Sequence, residues 1–180
     1  VIPPLVERAT ALAAGLGFEE SCAAETGRLL HLLAAQRGRE RVGEIGTDVG
    51  VGAAWLAAGL APGVPLFTAE SDGERARAAA ALFADDPDVH VLRGPWRDVL
   101  PEHGPFDLVV HHGGRVRLLE EECEDVVGLL SPGATVVLGG VREQRDHDAV
   151  AAFWLVHPQL AGLELPLTPA LRAIVCVRVL

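Results

Sequence analysis

Glu44-Ile45-Gly46-Thr47-Asp48-Val49-Gly50-Val51-Gly52 is the stretch that decides the fold. It grows out of a short apolar run, Val42 to Ile45, and leads into Ala53-Ala54-Trp55-Leu56-Ala57-Ala58-Gly59-Leu60, which reads as a helix. Strand, glycine-rich turn and helix in that order are how a Rossmann-like sheet receives a nucleotide-like ligand. Glycine lets the backbone approach the ligand and take positive φ. The helix start offers free N–H groups to a carboxylate or phosphate. Glu70 stands twenty residues beyond Gly50, at the end of the next apolar run, where an acid can accept hydrogen bonds from ribose hydroxyls.

Around this turn the chain alternates. Strands are expected at Val42–Ile45, Val64–Glu70, Val89–Leu92, Phe106–His111 and Ala134–Leu138, each short and almost continuously apolar, as in a parallel sheet covered on both faces. Helices are expected at Val51–Leu60, Gly73–Phe83, Val116–Leu130 and Asp146–Val156. Gly162–Leu167 and Leu171–Leu180 read as a final strand pair turning at Thr168-Pro169, which suggests one antiparallel strand at or near an edge. Two amphipathic helices, Leu5–Leu16 and about Cys22 to Gln36, come first. The expectation is one α/β domain over residues 1–180: a seven-stranded, mostly parallel sheet with helices on both faces.

Composition removes several functions. Net charge is −10, which argues against a nucleic-acid backbone as ligand. Arg37, Arg39 and Arg41 form the one basic cluster and read as a helix C-terminus meeting its own dipole. No apolar run reaches membrane-spanning length, and the first residues carry no signal-type pattern. With no methionine in the chain, Val1 is not expected to be the translated start. Cys22, Cys123 and Cys176 are odd in number and widely spaced, pointing to a reducing, cytoplasmic setting and no zinc site, with Cys176 in the core. The chain has neither lysine nor tyrosine. A Walker A lysine and a Schiff base are thereby excluded. The spacing Gly46-x-x-x-Gly50-x-Gly52 matches the turn of short-chain dehydrogenases, but their Tyr-x-x-x-Lys cannot be formed. No Gly-x-Ser-x-Gly elbow occurs.

The order of motifs resembles the class I S-adenosylmethionine-dependent methyltransferases, and within them the small O-methyltransferases of the catechol and caffeoyl-CoA type. Glu44-Ile45-Gly46-Thr47 is similar to that family's first strand, and Phe67-Thr68-Ala69-Glu70-Ser71-Asp72 to the end of its second. Arg93-Gly94-Pro95-Trp96-Arg97-Asp98-Val99-Leu100-Pro101 is similar to its third-strand turn. Phe106-Asp107-Leu108-Val109-Val110 and Leu129-Leu130-Ser131-Pro132-Gly133 resemble strand four and the approach to strand five. The resemblance implies S-adenosylmethionine as cofactor and a small-molecule methyl acceptor. Glu44, Gly46 and Thr47 would line the methionine side, with the N–H groups of the Gly50–Gly52 turn facing its carboxylate. Glu70 and Ser71 would meet the ribose, and Gly94, Pro95 and Trp96 the adenine. Similar enzymes self-associate, so a homodimer is also implied.

Departures from the family are as informative. Its metal-dependent members carry an aspartate after strand four and an Asp-Asn pair after strand five. Here His112 and Gly139-Gly140 stand at those places. Glycines supply no side-chain oxygen for a hard cation, so no metal site is expected. Arg115 matches the family's catalytic lysine, yet arginine cannot act as a base and is limited to orienting an anionic acceptor or stabilising a phenolate. His112 is the candidate base, with His111 a cofactor contact. Transition-metal binding with His103 and a plain hydrogen-bonded loop role are the competing readings of this histidine pair. His31, His90, His147 and His157 read as surface residues. Glu120-Glu121-Glu122 and Glu124-Asp125 read as a solvated helix face, and Asp85-Asp86-Pro87-Asp88 as a turn. Two rival functions stay open: a degenerate, non-catalytic binding protein, and a dinucleotide-dependent oxidoreductase.

Overall fold

A computed structural model describes residues 1–18, 21–112, 120–142 and 147–179. Two helices lead, α1 (Pro4–Gly15) and α2 (Ala24–Ala34). The alternating part follows as β1 (Val42–Ile45), α3 (Val51–Gly59), β2 (Leu66–Glu70), α4 (Gly73–Leu82), β3 (Val89–Arg93), α5 (Trp96–Val99) and β4 (Phe106–His112). It closes with α6 (Glu120–Gly128), β5 (Leu130–Arg142), α7 (His147–Val156), β6 (Leu160–Thr168) and β7 (Leu171–Arg178).

The seven strands form one sheet in the order β3-β2-β1-β4-β5-β7-β6. β7 runs antiparallel to both of its neighbours, one place in from the edge, and the remaining pairs are parallel. Strand order reverses between β1 and β4, so their carboxyl ends open a crevice.

Alternation along the strands divides the core in two. Val42, Leu66, Leu108, Val110 and Val137 pack with α1, α2 and α3 on one face. Ile45, Ala69, Val109, Val136 and Leu138 pack with Leu100, with Val126 of α6 and with Trp154 of α7 on the other. The leading helices are therefore part of the core: Leu30 and Ala34 of α2 are buried against the α3 layer. Arg39 donates from Nε to the Leu33 carbonyl at 3.0 Å, so this arginine does serve the end of α2.

Some boundaries differ from expectation. β5 begins at Leu130 rather than Ala134, because Gly133 (φ 79°) lets the strand bulge and Ser131 Oγ anchors it to the Phe106 carbonyl at 3.0 Å. Thr168 still pairs with Leu171, which moves the last turn to Pro169-Ala170. The four-residue α5 was not anticipated, being too short to show a helical period. The expected helix over Val116–Leu130 is described only from Glu120. Among the described residues no helix is long and apolar enough to cross a membrane.

Candidate active site

A cavity of about 330 Å³ lies at the carboxyl ends of β1, β2, β3 and β4. Gly46, Glu70, Ser71, Gly94, Pro95, Trp96, His111 and His112, all singled out from sequence, line it together. Ile45, Ala69, Arg97 and Glu122 complete the wall. Gly46 (φ 88°) and Gly94 (φ 148°) hold backbone conformations that side chains resist, which brings bare main chain to the cavity.

Four other expected residues stand behind this wall. Glu44 is 0% exposed and Thr47 is buried. Gly50 (φ 99°) starts α3 but faces Phe83 and Leu82. Gly52 lies against the carboxylate of Glu44 and the ring of His112. Arg115 lies outside the described residues.

Glu70 ties two turns together. Its Oε2 accepts the Asp48 N–H at 2.9 Å and its Oε1 accepts the Asp72 N–H at 2.8 Å. Arg75 reaches Oε1 at 3.2 Å and Asp48 Oδ1 at 2.9 Å. A carboxylate offers about four acceptor directions, so Oε2 keeps one in reserve. Arg75 was not anticipated. Its signal is a cation in the first turn of a helix, where the dipole disfavours positive charge unless acids surround it. Asp72, the side-chain cap of that helix, has its carboxyl held low by the Arg75 and Glu74 N–H groups and by the nearby arginines.

His111 and His112 follow one another on β4 and point to opposite faces of the sheet. His111 is buried beside Ile45, and among the described residues its Nδ1 has no hydrogen-bond partner. Burial, and then the charge of His112, push its pKa down to about 4, so the ring is neutral. His112 Nε2 sits 2.8 Å from Glu44 Oε1. Burial works to lower the His112 pKa, but the hydrogen bond and charge of Glu44, with help from Asp48, outweigh it and the net direction is up.

In the β4–β5 register His112 stands opposite Gly139. A Cβ on Gly139 would meet Thr26 Cγ2 at 3.0 Å and His112 Nδ1 at 3.7 Å. Among the described residues no three His, Cys, Asp or Glu side chains gather as a metal would need.

Two surface expectations are corrected. Glu122 is not solvated: its side chain is 17% exposed, pairs with Arg97 at 3.2 Å and joins the cavity wall. His157 is buried, its Nδ1 accepting the Gln159 N–H at 3.2 Å while Nε2 faces Glu124 at 3.3 Å.

No family model matches the sequence. The catechol O-methyltransferase of Mycobacterium tuberculosis is 34% identical over 163 residues, covering 79% of this chain and 73% of that protein. The chain belongs to the S-adenosylmethionine-dependent O-methyltransferases. Solved O-methyltransferases share the fold. The Bacillus cereus enzyme in complex with SAH superimposes with a TM-score of 0.82 at 19% identity, covering 99% of this chain and 92% of that one. TomG of Streptomyces achromogenes, which is involved in tomaymycin synthesis and was solved with SAM, gives 0.81 at 22% identity, covering 99% and 91%. In this methyltransferase, then, the crevice at the strand-order reversal is the place to look for chemistry.

Proposed function

We propose that this chain transfers a methyl group from S-adenosylmethionine to an oxygen atom of a small molecule, without a divalent metal. The observation that carries the metal-free part is His112 facing Gly139 across β4 and β5, its Nε2 committed to Glu44. The positions where the family places oxygen ligands hold an imidazole and two glycines, a donor set unsuited to Mg²⁺.

The cavity suits the cofactor. Gly46 and Gly94 give it main chain to lie against, and Glu70 keeps an acceptor direction for a ribose hydroxyl, beside Ser71. Pro95 and Trp96 offer apolar surface to the adenine, and His111 stands in the same wall. When bound, the sulfonium supplies an electrophilic methyl carbon, and the bond from carbon to sulfur breaks as the bond to the acceptor oxygen forms. The chain's own part is to hold the acceptor and take its proton, for which His112 is the group at hand. The unit of function on this reading is one domain over residues 1–180, acting in the cytoplasm as a homodimer and not on nucleic acid; a net charge of −10 supports the last point.

Calorimetry with S-adenosylmethionine, S-adenosylhomocysteine and NAD, followed by methylation of catechol with and without EDTA, tests this. Binding of both adenosyl ligands and EDTA-resistant turnover are expected. Binding of NAD alone overturns the methyl-transfer reading, and turnover that requires added Mg²⁺ overturns the metal-free one. Loss of the family's metal ligands also favours a second reading, a protein that binds the cofactor without turnover. Tight S-adenosylmethionine binding with no product from phenols, catechols, carboxylates or amines would select it.

A further inference from the structure

Glu44 is a fully buried acid, and an ionised carboxylate in such a place needs hydrogen bonds to stay there. It has them. Thr68 Oγ1 donates to Glu44 Oε2 at 2.5 Å. A hydroxyl has one proton to give, so the 2.5 Å contact between Thr47 and Thr68 must run from Thr47 to Thr68. Thr47 therefore donates to Thr68, and Thr68 to Glu44. On its other oxygen the partner is His112 Nε2, which has to carry a hydrogen to meet a carboxylate at 2.8 Å.

That leaves Nδ1 of neutral His112 as a bare lone pair. Among the described residues no hydrogen-bond partner meets it. It is the ring nitrogen turned towards Gly139, 3.7 Å from where a Cβ would stand. Among the described residues a Cβ at Gly140, next along β5, would meet nothing within 4 Å.

We propose that Glu44, held by Thr68 and Thr47, is a positioning residue that locks His112 in its Nε2–H form and aims Nδ1 at the hydroxyl of the methyl acceptor. The inference rests on the O-methyl-transfer reading above and extends it to the acceptor class: an oxygen acid that arrives protonated, such as a phenol. The hydroxyl proton passes to Nδ1. The oxygen keeps the electron pair and uses it for the new bond to the methyl carbon, while the pair of the broken bond returns to sulfur. The imidazolium formed keeps its Nε2–H on Glu44.

Among the described residues, charged and titratable groups around His112 are few. Glu44 comes from β1, and Asp48 from the turn before α3, where it is paired with Arg75 of α4. His111 beside it is neutral. Cys22, just before α2, has its thiol pushed up to about 12 by burial and then by Glu44 and Asp48, so it stays protonated. α3 and β5 present Gly52 and Gly139, and α2 presents Thr26.

Long-range ¹H–¹⁵N NMR of the histidine rings tests the inference in the intact protein, with Glu44→Gln beside the wild type. In the wild type the His112 midpoint should lie above the ordinary 6.5, and its neutral form should carry the proton on Nε2. Glu44→Gln removes the hydrogen bond and the charge of Glu44 and leaves burial, the largest influence, opposed only by the charge of Asp48, so the midpoint should drop below 6.5. The acidic limb of kcat for catechol should move to lower pH by about one unit or more, since a pair of charges so placed shifts a pKa by that much. A midpoint unmoved in Glu44→Gln, or a wild-type neutral form protonated on Nδ1, overturns the inference. So does a variant that loses S-adenosylmethionine affinity while the midpoint stays put, which would assign Glu44 to the cofactor. The wild-type tautomer is readable even if the variant fails to fold. Because the titration uses neither cofactor nor acceptor, its outcome is separate from the calorimetric test of the function.

Discussion

Two neighbouring residues on one strand, His111 and His112, live in opposite electrostatic worlds because the pleat sends them to opposite faces of the sheet. On the side of α5, α6 and α7, His111 finds apolar neighbours and, among the described residues, no partner for Nδ1, and its pKa falls to about 4. On the side of α2 and α3, His112 finds Glu44, and its pKa rises. Residue type is the same; the difference is what each face supplies. A buried acid that is itself hydrogen-bonded can reverse the effect of burial on a histidine.

The sharpest way to break this contrast is Gly52→Ala. A Cβ there would stand 2.4 Å from Glu44 Oε1 and 2.5 Å from His112 Nε2, so the pair or the helix must move. Overpacking of this kind costs about 3 kcal/mol, read by chemical denaturation. Turnover should fall by about 100-fold, the usual contribution of a positioned base.

The next effect is pH dependence of stability, where the two histidines should act with opposite sign. His111 titrates near 6.5 unfolded and about 4 folded, so the unfolded chain binds more protons between those values and stability falls as pH drops through that window. The full loss is on the order of 3 kcal/mol, at 1.36 kcal/mol per unit. His112, raised in the fold, contributes fully below 6.5 and loses its contribution as pH rises through the folded value. Denaturation across pH should therefore show a shallower acid limb in His111→Leu and a shallower alkaline limb in His112→Gln. Parallel behaviour of the two variants would break the comparison.

Glu70→Ala sharpens it from the cofactor side. The variant frees the Asp48 and Asp72 N–H groups and leaves Arg75 without one of its acids. Losing charge-assisted bonds costs about 2 kcal/mol, which is roughly 30-fold in S-adenosylmethionine affinity by calorimetry. Unchanged affinity would move the cofactor elsewhere. The smallest effect belongs to Arg97→Ala. Its pairs with Glu122 and Asp125 are partly exposed, so stability should change by less than about 1 kcal/mol in a thermal melt.

Much of the fold was legible because parallel strands buried on both faces announce themselves as short apolar runs. β1 matches its expected bounds, and the change from βα units to a strand pair pointed to one antiparallel strand at or near an edge, which is β7. Of the site, residues at strand ends were legible by position. Glu70 sits at the last residue of β2 and lines the cavity. Glu122 was not legible: three consecutive acids on a helix look alike until packing turns one of them towards Arg97. Arg75 was hidden for a related reason, since its partners Asp48 and Glu70 come from two other turns.

By itself the sequence determined the strands and helices of the sheet and the glycines where main chain reaches the cavity, because periodicity and backbone conformation are local properties. Tertiary structure alone decided that Glu44 backs His112 instead of facing the cavity, that α3 can rest on the pair because residue 52 is glycine, and that adjacent histidines differ in proton affinity. Those outcomes depend on which groups distant segments bring within hydrogen-bond reach, and on the low-dielectric surroundings that make each such group count.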